Sequence, residues 1–205
     1  GHDITGGIEF QYSSFDENTT DPLFGGNEDA ANRYSVFFND EIDICNDVLF
    51  LTIGTELEYS DNTDFQWQPT LRLRWTPQPK QTWWVAVSRA IRTPSYGELY
   101  GETTRGVRPE EVDDSYVTVL LGNEDLEAVR LYSWELGWRY TVSHALSWDA
   151  TAYYNEYSHL ATLEQQSTPV VYQYDGEEYT IYPLEFADTR DGQTCGAELA
   201  VSIHP

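Results

Sequence analysis

The chain has 205 residues, and 35 Asp and Glu against 11 Lys and Arg give it a formal net charge of −24. That balance argues against nucleic acid as a partner, since phosphate binding needs basic side chains that this chain lacks. Catalysis and metal chemistry are not indicated either: His2, His144, His159 and His204 are scattered, no paired Cys spacing occurs, and no nucleophile elbow surrounds a Ser. No catalytic residue, metal ligand or cofactor site is predicted, and the chain does not read as an enzyme.

Along the chain, apolar residues recur at every second position, the period of an extended strand with two unlike faces. Ile4, Ile8, Phe10 and Tyr12 alternate with Glu9, Gln11 and Ser13. Val36 to Ile44 is a weaker second candidate. Leu49, Leu51, Ile53, Leu57 and Tyr59 alternate with Thr52, Glu56 and Glu58. Trp67, Leu71, Leu73 and Trp75 then oppose Gln68, Thr70, Arg72 and Arg74, and Trp83, Val85, Val87 and Ile91 follow. Tyr132 to Val142 and Leu146 to Tyr154 repeat the pattern, and Cys195 to Ile203 ends it weakly. Eight strands are predicted in an all-β, antiparallel meander.

A strand greasy on one face and polar on the other suits a soluble core or a transmembrane barrel with a polar lumen. The links favour the barrel. Short ones at Asn46-Asp47, Pro77 to Gln81 and Ser143 to Ala145 alternate with connections that include long ones at Phe15 to Asn32, Thr93 to Val129 and Ser158 to Thr194. If residue 4 starts at the periplasmic side, these short links fall there as turns and the long ones become extracellular loops. Seven Trp and 15% aromatic residues suit interfacial girdles. A small closed eight-stranded barrel acting as anchor or adhesin uses the same strands, and a soluble aromatic-rich β-sandwich explains the aromatics but not the one-sided loops.

Three stretches carry a family likeness: Tyr34 to Gly54 (YSVFFNDEIDICNDVLFLTIG), Leu71 to Ser95 (LRLRWTPQPKQTWWVAVSRAIRTPS) and Gly122 to Tyr140 (GNEDLEAVRLYSWELGWRY). Their order and spacing resemble the barrel of TonB-dependent outer-membrane receptors, in which an "F-x-x-DEI" strand, an "SRA-x-RTPS" strand end and a "GN-x-DL" loop before an "S-x-ELG-x-R" strand occur in turn. HDITGGIEF and TCGAELAVS look like strands of the same barrels. The chain departs from the pattern where the family usually has Pro-Glu, since Glu127 is followed by Ala128-Val129. The resemblance implies uptake of a scarce nutrient (a ferric siderophore, haem or cobalamin) across the outer membrane of a Gram-negative bacterium. Outer-membrane lipid, a plug domain, TonB and a small-molecule or metal-chelate substrate are the implied partners. Residues 1–205 then form a partial barrel domain, expected to be an internal piece of a longer exported chain, because family barrels have 22 strands around a plug.

Strand alternation puts Glu56, Glu58, Arg72, Arg74, Arg92, Glu135, Arg139 and Asp149 on the polar, lumen-facing side. The turn centred on His144 sets Arg139 opposite Asp149 and Glu135 opposite Tyr153. Such residues could touch the plug or a passing substrate, or simply neutralise one another across strands. Two charges fall in the apolar set. Arg89 is late enough in its strand to reach the headgroups, whereas Asp40 suggests a bulge. Acids crowd the long loops, among them Asp16, Glu17, Asp21, Glu28, Asp29, Glu110, Glu111, Asp113, Asp114 and Asp175. They would attract cations and repel anions, or serve solubility alone. Cys45 and Cys195 lie on distant strand positions and are expected to be free thiols.

Overall fold

A computed structural model describes residues 1–15, 29–107, 116–174 and 177–203. Its elements in chain order are β1 (His2–Phe15), β2 (Asp29–Cys45), β3 (Leu49–Ser60), β4 (Asp64–Gln78), β5 (Gln81–Arg92), α1 (Tyr96–Tyr100), β6 (Glu102–Val107), β7 (Tyr116–Leu121), β8 (Val129–Ser143), β9 (Leu146–Gln165), β10 (Val170–Tyr174), β11 (Glu177–Ile181) and β12 (Leu184–Ile203). Eight long strands follow one another as antiparallel neighbours in the order β1-β2-β3-β4-β5-β8-β9-β12. This is the meander expected from the alternation.

Tight turns fix the register. Asn46 and Asp47 both have positive φ, 38° and 64°, as a two-residue hairpin whose twist matches its strands requires. Val48 N–H closes this turn on the Cys45 carbonyl at 2.8 Å. Gln78 pairs with Gln81 around Pro79-Lys80, and Ser143 pairs with Leu146 around His144-Ala145. At the long-loop end the link between β3 and β4 is also short, only residues 61–63.

Because directly paired residues share a face, the register sorts every side chain of the wall. On the apolar face, Phe10, Tyr34, Tyr59 and Phe65 form one aromatic row at the long-loop end. Trp75, Trp83 and Trp138 form another near the tight turns, with Trp83 stacked on Trp138 at 5.4 Å and Trp138 6.0 Å from Trp148. Between them lie aliphatic rows such as Leu51, Leu73, Val85 and Leu136. Most of these side chains are exposed, Ile8 at 87% and Leu136 at 55% among them. Two girdles of rings around an aliphatic band is the layout of a lipid-facing wall.

A single-layer sheet has no interior, so the buried apolar residues sit elsewhere. Leu99, Val119, Leu126, Ala128, Val129 and Ile181 are the buried hydrophobics among the described residues. They belong to the long connections and to the strand starts beside them. After β5 the chain forms α1 and the β6–β7 hairpin, and β7 pairs in parallel with the start of β12 at Leu184↔Leu120 and Glu185↔Leu121. Gly122 permits this packing, since a Cβ there would lie 2.6 Å from the Leu99 carbonyl group. Asn123 ties the loop on both sides: its N–H donates to the Glu98 carbonyl at 2.9 Å and its Nδ2 to the Phe186 carbonyl at 3.0 Å. Where the family usually has Pro-Glu, Ala128 and Val129 are buried at 2% and 7% exposure.

Several expectations need correction. The long connection expected at Ser158 to Thr194 is mostly strand, because β9 runs on to Gln165, β12 starts at Leu184, and β10 and β11 form a separate hairpin between them. Asp40 sits in a continuous ladder between Ile4 and Ile53, and the bulge in β2 falls at Asp43–Cys45 instead. Asp40 tolerates the apolar face because His2 Nδ1 lies 2.8 Å from its Oδ2. Among the described residues neither alternative architecture is formed: β1 and β12 are not neighbours, so the eight strands do not close, and no second large sheet covers the first. Of the acidic loop residues, Asp16, Glu17, Asp21, Glu28, Glu110, Glu111, Asp113, Asp114 and Asp175 lie outside the described residues.

An exposed apolar face and a β1 edge with no second neighbour among the described residues both favour association in water. Expressed by itself, the chain is expected to need detergent to stay dispersed, as checked by sedimentation with and without micelles. A monomer stable at high concentration in plain buffer is the opposite outcome and would remove the membrane reading.

Candidate functional site

The polar face is where chemistry can occur, and all eight sequence-chosen residues lie on it. Glu135 faces Ala86 and Tyr153, Arg139 faces Thr82 and Asp149, and Arg72 faces Thr52 and Ala86. Glu56 and Glu58 are directly opposite Gln68 and Gln66, Arg74 is opposite Phe50 and Trp84, and Arg92 is opposite Val129.

Their partners are only partly those suggested by the sequence. Arg139 Nε donates to Asp149 Oδ1 at 2.5 Å, as the hairpin register dictates. Arg74 bypasses Glu56 and Glu58. It crosses the Phe50 ring, with its guanidinium carbon 4.0 Å from the centroid, and donates to Glu41 Oε1 on β2 at 2.8 Å. Glu58, 4% exposed, is met by Arg33 Nη1 at 3.8 Å and by the Thr93 hydroxyl at 3.5 Å. Arg33 also donates to Glu9 at 2.9 Å, which links β1, β2 and β3 through one cation. Glu135 accepts from the Trp84 indole N–H at 2.5 Å. Arg72 and Glu56 form no ion pair among the described residues. Glu41, Arg33, Glu9 and Trp84 were therefore missed. Only Trp84 carried a usable signal, because it breaks the apolar alternation of β5.

Large rings on this face sit over glycines. Phe37 lies opposite Gly7, Trp84 opposite Gly137 and Tyr153 opposite Gly196, and in each pair a Cβ on the glycine would collide with the ring. The missing side chain is the space the ring occupies, which draws it against the neighbouring strand and away from the open face.

At the loop end, Arg92 and α1 form a knot. The Arg92 guanidinium grips Glu98 with two bonds of 2.9 and 3.1 Å. Glu98 in turn accepts the Ser95 N–H at 2.7 Å, while the Ser95 hydroxyl accepts the Glu98 N–H, a reciprocal capping box. The run Arg92-Thr93-Pro94-Ser95 thus turns the strand end into a helix start. The Arg92 hydrogen bonds, against an opposing desolvation effect, hold the Glu98 carboxyl down from 4.5 to about 2. Among the described residues, no three His, Cys, Asp or Glu side chains converge as a metal site, and Cys45 and Cys195 are free and exposed.

Two outcomes follow from this geometry. Gly137→Ala displaces Trp84 and its bond to Glu135, and is expected to cost about 1–3 kcal/mol, read as a lowered unfolding midpoint in detergent together with a changed tryptophan signal. The folded Glu98 value lies below the unfolded one, so its contribution is complete above about 4.5 and is lost as pH falls toward about 2. Hydrogen-exchange protection of residues 93–101, corrected for the intrinsic rate at each pH, should fall across that window, and Glu98→Gln should already be poorly protected at neutral pH.

The model of the "TonB dependent receptor-like, beta-barrel" family matches residues 1–194. Among solved structures, the chain is similar to the siderophore receptor PirA from Acinetobacter baumannii, with a TM-score of 0.79 and 16% identity over 98% of this chain and 32% of that one. It is similar also to a mutant ferric enterobactin receptor (PfeA) from Pseudomonas aeruginosa in complex with enterobactin, with a TM-score of 0.76 and 21% identity over 97% of this chain and 30% of that one. A double mutant of the Serratia marcescens hemophore receptor HasR, in complex with its hemophore HasA and heme, gives a TM-score of 0.72 and 14% identity over 98% of this chain and 36% of that one. No curated protein sequence matches. The chain spans about a third of the length of these structures. With an open antiparallel wall of two unlike faces and a family match over nearly all its length, the chain belongs to the TonB-dependent receptors, as a segment of their β-barrel.

Proposed function

We propose that residues 1–205 form one stretch of the barrel wall of an outer-membrane receptor in a Gram-negative bacterium, with the plug domain supplied by other parts of the protein. In this reading the apolar face meets lipid and the polar face lines the passage, where Glu56, Arg72 and the paired charges meet the plug or substrate. The whole receptor takes up a scarce nutrient of the ferric siderophore, haem or cobalamin class, and TonB delivers the energy. The carrying observation is the sorting of the wall: every charged candidate lies on one face and both aromatic girdles lie on the other. No step of this function makes or breaks a covalent bond of the nutrient.

Charge narrows the substrate. Acidic loops at the mouth of a chain with net charge −24 raise the local concentration of cations and lower that of anions. Neutral or cationic chelates are therefore favoured over anionic ones. Transport of radiolabelled iron into cells carrying the receptor as their sole iron-chelate uptake system should be faster for a cationic ferric hydroxamate than for an anionic ferric catecholate, and should stop when a protonophore collapses the proton gradient. Faster catecholate uptake would defeat the charge argument, and uptake that survives the protonophore would defeat TonB dependence.

A further inference from the structure

Arg89 lies on the apolar face between Val87 and Ile91, and unlike Arg130, which pairs with Ile91 on the same face, it meets no carboxylate among the described residues. Arg33, Arg74, Arg92, Arg130 and Arg139 each meet a carboxylate. Arg89 bonds to neutral acceptors: Nη1 donates to the Trp67 carbonyl and Nη2 to Gln66 Oε1 at 3.3 Å. Among the described residues it forms no ion pair. The local backbone explains why it folds onto β4. The β4–β5 ladder stops at Thr70↔Ser88, next to Pro69, which has no N–H. Beyond that point side chains stand in for the ladder, Arg89 on the Trp67 carbonyl and Gln68 on the Ile91 N–H at 3.2 Å. A guanidinium has five N–H donors, so these bonds leave donors and a full positive charge available.

Beside it the wall is hollow. Thr55 and Pro69 are a directly paired, short-chain step flanked by the larger Phe38, Trp67 and Leu71. Around them Phe38, Ile53, Leu71 and Val87 border a cleft of about 400 Å³. Arg89 pairs with Tyr132, and both line the cleft with the exposed Trp67. The Arg89 side chain reaches the Trp67 carbonyl, one pair inside the Tyr59–Phe65 aromatic row, which brings its charge toward headgroup level. A cation is tolerated far better near the interface than at the midplane. Charge, depth and an apolar trough that begins beside the charge together describe a lipid with an anionic head.

We propose that the cleft over Thr55 and Pro69 binds one phosphate-bearing lipid, with an acyl chain in the trough and the phosphate on the free donors of Arg89. The site rests on the membrane reading above and adds to it a specific lipid contact. Charge-assisted bonds from a guanidinium to phosphate are the strong kind, and the trough supplies the area for the chain.

The test uses the full-length receptor in detergent, with native mass spectrometry of phosphatidylglycerol and phosphatidylcholine carrying identical chains. Wild type should retain phosphatidylglycerol roughly tenfold more tightly. Arg89→Gln, which keeps a donor for the Trp67 carbonyl, should abolish the preference. Thr55→Phe should weaken both lipids while leaving the charge in place. Glycerol 3-phosphate should not compete. Equal retention of the two lipids by a folded, detergent-soluble receptor would overturn the lipid site alone, as would a preference that survives Arg89→Gln, or competition by glycerol 3-phosphate equal to that of the lipid. A receptor that folds as a soluble protein without detergent would overturn the membrane reading and the site together.

Discussion

Register is the constraint on which this wall depends. Each long strand carries two incompatible sets of side chains, and a shift of one residue exchanges them across the sheet. A slip in the β8–β9 hairpin would put Arg139 and Trp138 on each other's faces and remove the salt bridge to Asp149 together with the stack on Trp83. The tight turns are the pins. Positive φ at Asn46 and Asp47 and the two-residue links at Pro79-Lys80 and His144-Ala145 leave no slack for a slip.

The polar face shows how a single sheet can be stiffened without a core. Its ion pairs span one or two strands: Arg33 joins β1 to β3, Arg74 reaches from β4 to β2 over Phe50, and Arg139 closes β8 on β9. Apart from the Arg33 contact to the buried Glu58, these are exposed pairs, each worth only about 0–1 kcal/mol, so their value lies in orienting long side chains. The glycine pockets under Phe37, Trp84 and Tyr153 act in the same sense by keeping bulky rings close to the wall.

The loop end is built on a different principle. There, backbone segments approach closely enough to bury apolar residues, and the capping box of α1 is anchored to β5 by Arg92 and Glu98. Asn123 then fastens the following loop to both α1 and β12. The family motifs make physical sense as these contacts. Gly122 gives room for α1, Asn123 bridges two segments, Leu126 is buried, and Arg92 with Ser95 starts the helix.

The sequence by itself determined the strand period, the two faces, the neighbour order of the eight long strands and the hairpin pair Arg139–Asp149. The period, the faces and the hairpin pair are local properties, set within one strand or across one tight turn, and the antiparallel order carries on across the long connections, as between β5 and β8. What only the tertiary structure decided involves residues far apart in the chain. Arg74 finds Glu41 across 33 positions rather than the nearer Glu56 or Glu58, because its long side chain passes over Phe50 to the next strand but one. Asp40 finds His2 across 38 positions instead of bulging. The β6–β7 hairpin joins β12 through the parallel pairing of β7, beside the buried Val119, a contact between segments more than sixty residues apart. Alternation specifies which face a side chain occupies, but the partner it meets there depends on which strands the whole sheet brings alongside.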